Sequence, residues 1–185
     1  MRARRQTGTL PISAQSQDKS AANFARNTRL AAAVATFTAL GIDIGLKKLM
    51  LSHAANWNDK VVVPGLLDTH YVFNRGISFS LFWQSSTFGS AALGALQIMF
   101  VLLLGVAAWR ARKPAMAVGL GLIAGGALGN IADRLGMGTV FDFLVVRLAS
   151  LPLFVCNSAD IFISLGVSLL VAELLFESQA HQQTS

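Results

Sequence analysis

Four long apolar runs, at residues 30–46, 89–109, 114–132 and 153–175, are separated by shorter and more polar segments. Each is about as long as the roughly 17–25 residues a membrane-spanning helix needs, the first being the shortest. The pattern predicts an all-α membrane protein: one bundle of four transmembrane helices over residues 29–176, with no separate soluble domain. Residues 1–28, rich in Ser, Gln, Asn and Arg, read as a disordered cytoplasmic leader, and residues 177–185 as a tail. The insert at 51–88 is more than a loop. Lys60-Val61-Val62-Val63 runs into Pro64-Gly65, and Thr69–Phe73 precedes Asn74-Arg75-Gly76, which reads as two short strands with their turns. Phe79, Leu81, Phe82 and Trp83 then suit a segment lying at the membrane interface. A second outside segment, 135–152, carries Gly136 and Gly138 as turn formers and a strand over 139–146.

Composition strengthens this picture. The 185 residues are 54% hydrophobic and only 13% charged, about half the charged fraction of a soluble domain. The net charge of +6 is distributed by topology rather than for nucleic acid. Arg2, Arg4, Arg5, Lys19, Arg26 and Arg29 precede the first run, and Arg110, Arg112 and Lys113 fill the link between the second and third. The positive-inside rule places both segments in the cytoplasm, and four spans return the C-terminus there. The 51–88 and 134–152 segments then face outside. Asp43 and Lys47 sit where a clean apolar run should continue, and Ser52-His53-Ala54 is a weak cleavage site, so this run reads as a retained helix rather than a removed signal peptide.

Some chemistries are excluded early. One cysteine, Cys156, rules out an intramolecular disulfide and a cysteine metal cluster, and His53, His70 and His181 have no ligand spacing. No phosphate-binding loop is present, and the reading calls for no cofactor or metal.

Two aspartates remain conspicuous. Asp142 in Val140-Phe141-Asp142-Phe143 and Asp160 in Asn157-Ser158-Ala159-Asp160 sit within very apolar sequence. Acids in such surroundings normally face a bundle interior or wet cavity and carry function. Helical rise puts Asp43 roughly 20 Å along its outward helix and Asp133 roughly 27 Å along its own. Asp160, counted from residue 153, falls roughly 10 Å below the outer end of its inward helix. With Gln97, four helices deliver a polar group to one outer layer. Gly121, Gly125 and Gly129 form a close-packing seam that points Asp133 inward. Asn130, Asp133 and Arg134 share one helix face, and Asn157 and Asp160 are three apart. Two carboxyls held together cannot both ionise cheaply, so they share a proton. One can then deprotonate water while the other polarises a carbonyl. Plainer roles remain for several of these groups: a helix-end ion pair for Asp43 and Lys47, support for Asp133 and Arg134, interhelical hydrogen bonds for Asn130 and Asn157, and packing for Gln97. A proton-coupled transporter using the acids as a relay is the competing class. The presenilin-like Gly-x-Gly-Asp pattern does not fit, because Thr139 follows Gly138.

At these residues the chain resembles the lipoprotein signal peptidase (signal peptidase II) family of bacterial membrane aspartyl peptidases. The resemblance covers roughly residues 35–175 and rests on Asp43-Ile-Gly-Leu-Lys47, Asn74–Ser80, Gly125–Arg134 with Gly138–Phe143, and Asn157–Asp160. It implies four transmembrane helices with a periplasmic β-cradle and a short interfacial helix. It implies Asp142 and Asp160 as the catalytic pair, with Asp43, Asn74, Asn130, Asp133, Arg134 and Asn157 binding substrate or supporting the site. The implied activity is cleavage before the diacylglyceryl-modified cysteine of a prolipoprotein, by a monomer in the bacterial inner membrane, near its periplasmic face. The implied partners are that lipidated substrate and membrane lipid, and not nucleic acid. Cys156 departs from the aromatic residue usual in the family at this position, and bears on substrate preference.

Overall fold

The computed structural model describes residues 12–75 and 87–183. The chain order is helix α1 (Ile12–Ser52), a single turn α2 (Ala54–Trp57), strands β1 (Lys60–Val63) and β2 (Leu67–Asn74), helices α3 (Thr87–Arg110) and α4 (Pro114–Met137), strands β3 (Val140–Leu148) and β4 (Leu151–Cys156), and helix α5 (Ser158–Gln183). Among the described residues, three helices are long and apolar enough to cross a membrane, within Ser16–Ser52, Pro114–Met137 and Ser158–Gln179, and a shorter apolar helix covers Gly94–Arg110. The expected interfacial segment around Phe79–Trp83 lies outside the described residues.

Two expectations are corrected. The leader was expected to be disordered to residue 28, but α1 is continuous from Ile12. Ala, Gln, Lys and Arg there are good helix formers, and the apolar half of the same helix supplies the nucleus they extend. The fourth apolar run was expected to be helical from 153. Instead Leu151–Cys156 forms β4, and α5 starts at Ser158. A short apolar run does not distinguish strand from helix, and here the unpaired side of β3 takes it.

α4 is the hub of the bundle, packing against α1, α5 and α3. Its start is set by Pro114 and its end by Gly138, whose φ of 74° is the left-handed conformation that closes a helix. The glycine seam faces α1. A Cβ at Gly125 would strike the Thr36 carbonyl oxygen, and one at Gly129 the Asp43 carboxylate. On the opposite side Gly126 meets the Ala159 carbonyl of α5. Close approach on both faces is what bare helix surfaces allow, and it brings polar groups from three helices together at one end.

The sheet has the order β1-β2-β3-β4, all antiparallel. Alternation along β3 separates two environments. Val140, Asp142, Leu144 and Val146 line a cleft, whereas Phe141 and Phe143 are buried on the other face. There Phe141 meets Tyr71 edge-on at 4.9 Å and stacks on Phe143 at 5.5 Å. Tyr71 also donates to the Met50 carbonyl at 2.7 Å, fastening β2 to the end of α1. The register is thereby held, and a slip of one residue would turn Asp142 away from the cleft.

Candidate active site

Asn157 is the residue on which the site turns. As the N-cap of α5, its side-chain oxygen accepts from the Asp160 backbone N–H at 3.2 Å, and Asp160 Oδ2 accepts from the Asn157 N–H at 3.1 Å. This reciprocal capping box satisfies two N–H groups that a helix start leaves open. It also fixes the Asp160 carboxyl. The Asn157 side chain carries on to the second acid, donating from Nδ2 to Asp142 Oδ1 at 2.6 Å. One fully buried residue thus holds both carboxyls. With β4 preceding it, Asp160 lies in the first turn of α5 rather than two turns inside a span.

Asp142 reaches the same point from the sheet. Val72 pairs with Asp142 and Asn74 with Val140, so Asn74 and Asp142 are diagonal neighbours on one face. Asn74 Nδ2 donates to Asp142 Oδ2 at 3.1 Å. Burial pushes the Asp142 carboxyl up to about 6; the hydrogen bonds from Asn74 and Asn157 act against this, and the charge of Asp160 adds to it. Cys156, at the end of β4, is also in the cleft wall. Burial, with Asp160 and Asp142 nearby, pushes its thiol up to about 12.

Beneath the pair is a buried ionic cluster. Lys47 Nζ lies 2.9 Å from Asp43 Oδ2 and 2.8 Å from Asp133 Oδ2, and donates to Asn130 Oδ1 at 3.0 Å. Asp43 also accepts from Ser158 Oγ at 2.5 Å, and Asp133 from the Phe141 N–H at 3.1 Å. Asn130 then donates to Asp160 Oδ1 at 3.3 Å and accepts from Asn157 Nδ2 at 3.1 Å. Arg134 Nη1 reaches the Asn130 carbonyl at 3.4 Å and lines the cleft. Removing one partner of such a buried cluster typically costs about 3–5 kcal/mol, because a charge is left uncompensated.

All eight residues singled out from the sequence fall in this assembly. Asp142, Asp160, Asn74, Asn130 and Arg134 reach the cleft with Asn157, while Asp43 and Asp133 sit below it. Asp43 and Lys47 are not a helix-end pair: both are buried, at 0% and 3% exposure, in the interior of α1. Lys47 is the member the sequence reading undervalued. Its signal was present, since a lysine four residues from an aspartate in an apolar helix requires a buried partner. Ser158 gave no such signal, being an ordinary first residue of a helix. The cleft above them measures about 530 Å³. Asp142 and Asp160 both line it.

Comparisons with known proteins bear on the family and the fold. The sequence profile described as Signal peptidase (SPase) II matches residues 35–176. The chain is 37% identical over 154 residues to the lipoprotein signal peptidase of Beijerinckia indica subsp. indica, covering 82% of this chain and 92% of the relative. It is 33% identical over 150 residues to that of Methylocella silvestris, covering 81% and 88%. A solved bacterial membrane enzyme structure, obtained by the in meso method at 2.3 Å resolution, superposes with a TM-score of 0.67. At 22% identity, over 80% of this chain and 88% of the other, that likeness concerns the fold.

Proposed function

The chain belongs to the signal peptidase II family, and from that premise we propose that it is a membrane aspartyl endopeptidase removing signal peptides from prolipoproteins. It cleaves before the diacylglyceryl-modified cysteine. Asp142 and Asp160 activate the water, and Asn74, Asn130 and Asn157 hold them in place. The observation that carries this reading is the double grip of Asn157, whose side chain binds one carboxyl while its backbone binds the other.

The steps follow from two acids sharing one proton. The ionised carboxyl takes a proton from water as the water oxygen bonds to the scissile carbonyl carbon. The protonated partner gives its proton to the carbonyl oxygen. Collapse of the tetrahedral species breaks the C–N bond: the nitrogen takes the proton first removed from water, and a hydroxyl of the species returns its proton to the other carboxyl, which restores the pair. The products are the signal-peptide carboxyl and the free amine of the lipidated cysteine. Arg134, at the cleft wall, suits a peptide carbonyl.

Four transmembrane helices, α1, α3, α4 and α5, complete the proposed arrangement, with the sheet as a periplasmic cradle. Both termini are cytoplasmic, and a monomer in the inner membrane suffices for the chemistry. The acids lie where the sheet meets the helix ends, which suits a substrate whose acyl chains stay in lipid while its scissile bond is at the interface. The test is to incubate purified protein with a diacylated prolipoprotein and detect the released signal peptide by mass. Asp142→Asn and Asp160→Asn should each abolish the product while the protein stays inserted; processing at the wild-type rate by either variant overturns the pair.

A further inference from the structure

α3 and α5 both pack on α4 but hardly meet each other. The groove between them is continuous with the cleft, and its walls carry Gln97 from α3 with Asp160, Ser164 and Ser168 from α5. The three α5 residues are four apart, so they follow one face of that helix inward from the acid pair. Ser168 is satisfied locally, donating to the Ser164 carbonyl at 2.8 Å. Gln97 is different. Its Oε1 is buried and has no hydrogen-bond partner among the described residues.

A side chain kept there only to fill space would be better aliphatic. A buried carbonyl oxygen without a donor is destabilising. The residue therefore carries, at the wall of the groove, an acceptor that no donor among the described residues uses.

A donor comes with the proposed substrate, and the argument here rests on that proposal. A helical peptide hides its carbonyls in i to i−4 hydrogen bonds, so the segment at the acid pair must be unwound before water can attack. Unwinding frees backbone N–H groups, and in an apolar groove each needs an acceptor. We infer that Gln97 is a substrate-positioning residue whose amide oxygen accepts a hydrogen bond from a backbone N–H in the unwound signal-peptide segment preceding the scissile bond. The acid pair on one wall and Gln97 on the other then hold that segment extended across the cleft.

The test pairs an isosteric variant with backbone-edited substrates. Gln97→Met keeps the side-chain length and removes the acceptor. Wild type and variant, each checked for a monodisperse fold, with the melting temperature of the variant no lower than that of wild type, are given a synthetic diacylated prolipoprotein peptide. They are also given a series in which single amides before the cleavage site are replaced by esters. Gln97→Met should lower kcat/KM on the all-amide peptide by about tenfold, the worth of one hydrogen bond. Wild type should lose about the same factor at one ester position, and there the variant should lose nothing further. Full activity of Gln97→Met, or losses that add at every ester position, would overturn the role. Wild type that leaves the all-amide peptide intact would overturn the peptidase reading and this inference with it.

Discussion

At the scale of single residues, pH dependence follows from where Asp142 sits. Its carboxyl is pushed up to about 6, chiefly by burial, against about 3.9 in an unfolded chain. The folded protein therefore holds this proton more tightly than the unfolded one. The stability it contributes is complete below about pH 4 and is lost as pH rises through 6. The proposed mechanism requires that proton on one member of the pair, so the cleavage rate should decline as pH rises through about 6. In detergent micelles, the melting temperature of Asp142→Asn should gain on that of wild type between pH 4 and 7.5, by an amount equivalent to at most about 3 kcal/mol. A difference between the two that stays flat with pH would show that Asp142 is ionised throughout. Cys156 allows an independent check of the same surroundings. With its thiol near 12, alkylation by iodoacetamide at pH 7.5 should be roughly a thousandfold slower than for an exposed cysteine, because thiolate is the reacting form.

Among the elements, α4 makes the sharpest prediction. A methyl group at Gly129 would occupy the space of the Asp43 carboxylate, whereas one at Gly136 meets nothing within 4 Å. Gly129→Ala should destabilise the fold by about 1–3 kcal/mol and reduce cleavage, as overpacking displaces the ion cluster. Gly136→Ala should be neutral or slightly stabilising by the same thermal measurement. This seam was legible in the sequence because a four-residue glycine repeat has one geometric consequence. The strands at 60–63 and 139–146 were equally plain, since turn residues bound them. β4 was not legible. Leu153, Phe154 and Val155 suit a strand or a helix, and only pairing with β3 decides between them. That ambiguity moved the expected start of α5 and set Asp160 too deep. The helical stretch from Ile12 was hidden for a related reason: its polar surface resembles a disordered segment until it is joined to an apolar helix that propagates through it. The acid pair itself was legible because carboxylates in apolar sequence have few explanations. The role of Asn157 between them was not, since a capping residue becomes a bridge only when the sheet brings Asp142 alongside.

For the whole molecule, the proposed four crossings leave both ends on one side. Alkaline phosphatase fused after Ser185 should be inactive in cells, while fusions in the Gly65 and Ala149 turns should be active. The opposite pattern would invert the proposed orientation and place the cleft on the cytoplasmic side. The capping box has one more consequence, in the order of synthesis. Asn157 and Asp160 belong to the last helix translated, and until that helix winds, Asp142 lacks both its neighbour acid and one of its hydrogen-bond donors. On the proposed mechanism, a nascent chain is thus incapable of hydrolysis while it is threaded into the bilayer. Competence arrives with the final segment, so a ribosome that stalls early leaves behind no rogue protease.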